Sequence, residues 1–308
     1  MTNRQVFRFA PSPNGELHLG HVLSACLNRQ MADRSGGVML LRMEDIDQAR
    51  CTPAFERQIT EDLQWLGIGW DGPVRRQSEY FDAYRSALRK LDDMGLVYPA
   101  SMSRREIREH VDTVEARGEI WPRDPDGQPH FPGLERDASQ SERDALTQSG
   151  RPYTLRLDMA QAVASVGGDL TWNEQGSGPD GARGVLEADP ARWGDVILAR
   201  SDTPTSYHLS VVVDDAEQEI TDVVRGQDLF HATAVHRLLQ RLLDLPEPRY
   251  HHHELLLGPD GKKLSKTHRD RSIRAMREAG LSPRDVLDAM DDAPRSGGAG
   301  NASVHLQE

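Results

Sequence analysis

VFRFAPSPNGELHLGHVLSACLNRQMADRSGGVMLLRM, residues 6–43, decides how this chain is built. Residues 6–9 form a short, largely apolar run that Pro11, Pro13 and Gly15 bring to a turn, so they read as a buried strand. Leu19, Leu23, Cys26, Leu27 and Met31 then recur at close to helical spacing. The Gly36-Gly37 pair ends that helix before a second apolar strand over 38–43. Strand, turn, helix, strand is a βαβ unit, and open α/β sheets collect ligands at the carboxyl ends of such strands.

Working outward, the spacing predicts helices over 53–66 and 80–94, the second with Tyr84, Leu88 and Leu91 on one face. From 99 to 190 the composition shifts toward Pro, Gly, Asp and Arg, with loops around one alternating strand at 153–157. Buried-strand patterns resume at 196–199 and 209–213, followed by a helix with Val235, Leu238, Leu239 and Leu242 on one stripe. The expected architecture is α/β: a doubly wound parallel sheet split by an inserted α+β module. Its first half occupies 1–98, the inserted module 99–190 and the second half 191–248. A loop and C-terminal helical segment follow at 249–290, and a Gly-, Ala- and Ser-rich tail at 291–308.

The chain has 308 residues, enough for one elaborated catalytic unit. No stretch approaches the roughly 18 apolar residues of a membrane span, and the N-terminus lacks a signal-peptide core, so a soluble, cytoplasmic protein with no membrane partner is expected. Cys26 and Cys51 read as ordinary thiols, and the five tryptophans, scattered singly, as packing residues. The balance of 37 basic to 49 acidic residues, net −12, argues against a protein that coats nucleic acid non-specifically. RNA contact would need a local basic patch. No obligate protein partner is evident.

Two segments carry chemistry. His18 and His21 flank Gly20 where a strand turns into a helix, a place that favours phosphate, and Gly20 lets a flat base approach the backbone. Far along the chain, GPDGKKLSKT places Lys263 and Lys266 on a glycine-flanked loop, where two ammonium groups can clamp a pyrophosphate. Taken singly, the first is equally a turn-and-cap sequence and the second equally a solvated basic loop. Taken together and in this order, HLGH and KLSKT resemble the paired signatures of class I aminoacyl-tRNA synthetases. RFAPSPNGELHLG, LLRMEDID, SYHLSVVVDD and VVRGQDL are similar to the glutamyl branch of that family. The resemblance covers most of the chain outside the expected insertion.

The resemblance implies a Rossmann-like catalytic domain that activates L-glutamate with ATP and Mg²⁺. It assigns ATP contacts to His18, Gly20, His21 and Lys266, with Lys263 as a further catalytic cation, and L-glutamate binding to Arg8, Ser12, Glu44, Tyr207 and Arg225. Because an α-carboxylate is already nucleophilic, adenylate formation needs positioning and charge neutralisation rather than a general base. Glu44, Asp45 and Asp47 read equally as an acidic cluster at a helix start. Many relatives hold a zinc ion after the first half-fold. Here the corresponding positions are Ala100, Met102, Phe131 and Glu135, so no zinc is expected. His251, His252 and His253 alternate faces on a strand, so a metal site there is less expected than a solvated or nucleotide-side role.

The chain stops soon after the second signature. In that it is similar to the short glutamyl form that transfers glutamate to the queuosine base in the anticodon of tRNA(Asp). L-glutamate, ATP and tRNA(Asp) are the expected partners. A truncated glutamyl enzyme charging tRNA(Glu), a catalytically silent glutamate- or RNA-binding paralogue, and a small-molecule adenylyltransferase are the alternatives.

Overall fold

The computed structural model describes residues 4–258, 261–264 and 272–296. β1 (Val6–Phe9), α1 (Leu19–Ser35) and β2 (Val38–Met43) form the βαβ unit. β1 and β2 are parallel, with Val6 opposite Val38 and Phe9 opposite Leu41. Gly36 caps α1 at φ 62°, a left-handed conformation that lets its N–H return to Ala32 and Asp33 at no side-chain cost. α2 (Pro53–Trp65) starts at Thr52, whose hydroxyl accepts from Phe55 N, with proline at the first helical position. β3 (Arg75–Arg76) extends the sheet beside β2, and α3 (Phe81–Asp93) follows.

β4 (Val97–Ala100), α4 (Arg104–Glu115), α5 (Gln140–Gln148), β5 (Thr154–Leu157) and α6 (Met159–Val166) come next. The hairpin of β6 (Thr171–Glu174) and β7 (Gly184–Glu187) leads to β8 (Ile197–Arg200) and α7 (Tyr207–Glu217). β9 (Asp222–Gly226), α8 (Thr233–Leu242), β10 (Arg249–His253), α9 (Ile273–Glu278) and α10 (Pro283–Asp291) complete the described chain.

β9 and β10 pair in parallel, as do β10 and β6, giving the order β7-β6-β10-β9. β1 lies against β9, where Thr221 N donates to Val6 O at 3.0 Å and Val6 N to Thr221 Oγ1 at 2.8 Å. The order of parallel strands therefore reverses between β1 and β9, which is the switch point where doubly wound sheets bind ligands. The α/β expectation holds.

Two strand assignments need correction. Residues 209–213 lie in α7, not in a strand. Every residue from Leu209 to Asp215 is buried, and a helix buried all round lacks the apolar stripe that separates it from a strand. Residues 197–200 do form β8, but it pairs antiparallel with β5 in a separate sheet of order β4-β5-β8. The second half of the parallel sheet comes from β9 and β10 instead. β6 and β7, which fall inside the stretch expected as an insertion, join it.

Phe7, Phe9, Val22, Leu23, Cys26, Met39 and Leu41 fill the core between the first strands and α1, with Ile273, Val286 and Met290 closing it from the C-terminal helices. Each buried side chain of Leu, Ile or Phe size contributes roughly 2 kcal/mol, so this core anchors the floor beneath the switch point. No described helix is long and apolar enough to cross a membrane.

Candidate active site

A cavity of about 420 Å³ opens at the β1/β9 switch point. Arg8, Ser12, His18, Gly20, His21, Glu44, Tyr207, Arg225 and Lys263 all border it, so these nine expected site residues share one space. Lys266 lies outside the described residues. The flanking chain is at the site, because Leu264 borders the cavity and Ser272 bridges to His18.

The histidines are held by the start of α1. His18 is its N-cap, and His18 Nδ1 accepts from Gly20 N at 3.1 Å. His21 Nδ1 accepts from His18 N, also at 3.1 Å, completing a capping box built from two imidazoles. A ring nitrogen that accepts an N–H carries no hydrogen, so each neutral ring has its hydrogen on Nε2. The rings lie with centroids 3.8 Å apart at a 37° tilt, and a Cβ on Gly20 would stand 3.0 Å from His18 Cε1. Gly20 thus spares the His18 ring a displacement as well as leaving the backbone bare.

Arg225 stands at the end of β9. It donates Nε to His252 Nε2 at 3.0 Å, Nη1 to Tyr207 Oη and His236 Nδ1, and Nη2 to Leu229 O and Thr233 Oγ1. His236 Nε2 in turn meets His208 Nδ1 at 3.2 Å. As His236 Nδ1 is an acceptor, its hydrogen sits on Nε2 and is donated to His208. Burial, reinforced by Arg225, brings His208 down to about 4 and His236 well below the ordinary value. Burial also brings His252 and His253 to about 4.

A pH prediction follows from these rings. An unfolded chain protonates its imidazoles near pH 6.5, whereas the folded rings stay neutral down to about 4. The unfolded state thus binds more protons in that window, and stability falls as pH drops through it. Asp62, raised by burial to about 6, and Glu44 and Asp126, also raised by burial, oppose the trend but number fewer than the lowered imidazoles. Between pH 7 and 5 the melting temperature should fall by roughly ten degrees, measured by circular dichroism at constant ionic strength.

Arg8 is buried on β1 and donates Nε to Asp215 Oδ1 at 3.0 Å. Arg42, fully buried, donates to the same oxygen at 2.8 Å. Asp214 beside it accepts from Tyr84, Gln77 and Arg75. Arg8 is thus part of a buried ionic frame with Arg42 and Asp215. Glu44 Oε1 lies 3.6 Å from Arg42 Nη2, and burial raises the Glu44 carboxyl against the pull of Arg42 and Arg8. An incoming ammonium group would favour its charged form. Burial likewise raises the Tyr207 phenol, which stays a neutral donor.

Lys263 Nζ sits 3.6 Å from Asp228 Oδ2 at the cavity's outer edge, and both side chains are largely exposed. Among the described residues no group of three or more metal-ligating side chains exists.

Glu44, Tyr207 and Ser12 also wall a second cavity of about 500 Å³, with Trp193, His208 and Arg200 on its far side. Behind it, Tyr98, Ala100 and Phe131 form a small apolar cluster with Met102 and Ile107. Arg156 stacks 3.8 Å over the Phe131 ring, and Glu135 accepts from Ser101 N at 2.8 Å. Ala100, Met102, Phe131 and Glu135, the positions that the resemblance matches to zinc ligands, make apolar packing and a loop clasp. A chelator such as EDTA should leave the melting temperature unchanged, and a fall on chelation would contradict this packing account.

Sequence reasoning did not single out Glu174, Asp215, His208 or His236. The solvated or nucleotide-side role expected at 251–253 does not hold for His252, which is buried between Glu174 and Arg225, although the alternation did set it apart from its neighbours.

Residues 5–291 match the family described as tRNA synthetases class I (E and Q), catalytic domain. The chain is 47% identical over 285 residues to a glutamyl-Q tRNA(Asp) synthetase of Rhodobacter capsulatus, covering 91% of this chain and 98% of that one. It is 34% identical over 310 residues to glutamate–tRNA ligase 2 of Syntrophus aciditrophicus, covering 98% of this chain and 60% of the relative. Among solved structures, a glutamate tRNA ligase from Elizabethkingia meningosepticum in complex with its amino acid superposes with a TM-score of 0.70 at 29% identity. That likeness covers 91% of this chain and 54% of the ligase, so the chain spans about half of that protein.

Proposed function

Because the chain belongs to the class I tRNA synthetases of the glutamate and glutamine type, we propose that it activates L-glutamate with ATP and transfers it to the queuosine base of tRNA(Asp). The observation that carries the reading is one cavity in which two guanidiniums and a carboxylate, Arg8, Arg225 and Glu44, face two Nε2–H imidazoles and an ammonium group. Opposite charges on a dicarboxylic amino acid match the first set, and phosphate oxygens match the second.

In the first step the α-carboxylate attacks the α-phosphorus of ATP, and pyrophosphate leaves. His18 and His21 donate Nε2–H to phosphate oxygens as charge builds, and Lys263 and Lys266 neutralise the departing pyrophosphate. Mg²⁺ would supply further neutralisation on the phosphates. Arg8 and Arg225 hold the carboxylates, Arg225 by exchanging its 3.3 Å contact with Tyr207 Oη for the substrate; Glu44 holds the ammonium group, and Tyr207 and Ser12 fix orientation. The acceptor base would enter the adjoining cavity, which shares Ser12, Glu44 and Tyr207 with the first. The 47% identity to a protein named for glutamyl-Q and tRNA(Asp) favours that acceptor.

The test is incorporation of labelled glutamate into tRNA(Asp) from queuosine-containing and queuosine-deficient cells. Labelling confined to the queuosine-containing tRNA is expected. Equal labelling of both, or labelling of tRNA(Glu) instead, would overturn the acceptor assignment.

A further inference from the structure

Glu174 and His252 form a fully buried pair behind Arg225 that no assigned site residue explains. Glu174 Oε1 accepts from His252 N and Gly176 N, both at 2.9 Å. Its Oε2 accepts from His252 Nδ1 at 2.6 Å and from Trp172 Nε1 at 3.3 Å. His252 Nε2 then accepts from Arg225 Nε. Each hydrogen position follows from the next: the carboxylate only accepts, so His252 carries its hydrogen on Nδ1 and turns a bare Nε2 toward the guanidinium.

Burying a carboxylate costs more than apolar packing of the same volume, so stability does not account for Glu174 here. Burial works against its charge, yet the His252 contacts keep its pKa below the ordinary value. The ring beside it stays neutral, at about 4. Carboxylate, imidazole and guanidinium therefore form a directed chain whose last member borders the cavity.

We infer that Glu174 and His252 are positioning residues for the amino-acid site: the carboxylate, acting through the imidazole, fixes the orientation in which Arg225 meets the substrate's carboxylate. The inference rests on the glutamate-activating reading. Glu174→Gln tests it sharply. The amide oxygen keeps the two backbone N–H bonds, so the NH2 group takes the Oε2 position and donates to His252 Nδ1. His252 must then carry its hydrogen on Nε2, facing the Arg225 Nε–H, and two donors meet.

Calorimetric titration of the full chain with L-glutamate, and separately with ATP and Mg²⁺, reads the effect. In Glu174→Gln the Kd for glutamate should rise at least about tenfold, equivalent to roughly 1.4 kcal/mol. The Kd for ATP should stay within about twofold, and the preference for glutamate over glutamine should narrow. Unchanged glutamate affinity overturns the inference, and so does equal weakening of both ligands, the mark of a merely structural role. Should Glu174→Gln fail to fold, His252→Gln decides. Its carbonyl can accept from Arg225 while its NH2 donates to Glu174, so it should bind glutamate within about threefold of wild type, whereas His252→Leu should not. Equal affinities of those two variants overturn the inference. Wild-type protein that binds no glutamate would overturn the functional reading itself.

Discussion

Arg225→Lys should lower glutamate activation by roughly 10²- to 10³-fold in kcat/KM, with little change in ATP binding. Lysine keeps the charge but offers three donors from one point in place of a planar fork. The native guanidinium is engaged by His252, His236, Tyr207, Thr233 and Leu229. A single ammonium group cannot satisfy acceptors on that many sides, so it follows whichever pulls hardest and leaves the rest unpaired. ATP–pyrophosphate exchange, run with and without tRNA, separates the two substrates. A loss shared equally between glutamate and ATP would mean the cavity had collapsed, which melting temperature would reveal.

The second large effect is on the phosphate side. His21→Asn should reduce kcat by roughly 10²-fold or more while leaving stability unchanged. The asparagine carbonyl falls near the position of Nδ1 and can accept from His18 N as the imidazole does, so the cap survives. The Nε2–H is gone. His21→Ala should show the same kinetic loss together with about 1 kcal/mol of destabilisation from the missing cap. Equal rates for wild type and the asparagine variant would place the phosphate donor elsewhere.

The βαβ start was legible because each part announces itself locally: an apolar strand, a proline turn, a glycine cap. β1 and β2 have the expected bounds. The carboxyl-edge argument likewise put His18 and His21 at the ligand-binding edge, while Arg8 was named by the resemblance alone. What escaped was non-local. Leu209 to Val213 lies inside the protein on every side, so its pattern has no period to report. Glu174 is 78 residues from His252, within a stretch whose Gly and Pro content suggested only loops. Nothing in its neighbours announces that β6 reaches β10. Asp215 sat within a quoted motif, but its role as the shared acceptor of Arg8 and Arg42 depends on β1 and β2 meeting α7, 207 and 173 residues further along the chain.

The docking of β6 on β10 bears on how the protein is born. Arg8 and Glu44 are made early, Tyr207 and Arg225 late, and the His252 ring that orients Arg225 later still. Contacts of such long sequence separation form slowly and late. A nascent chain halted on the ribosome before residue 253 emerges would hold a finished βαβ unit but an unset guanidinium. Affinity for the amino acid should therefore arise in one late step of synthesis rather than grow with chain length.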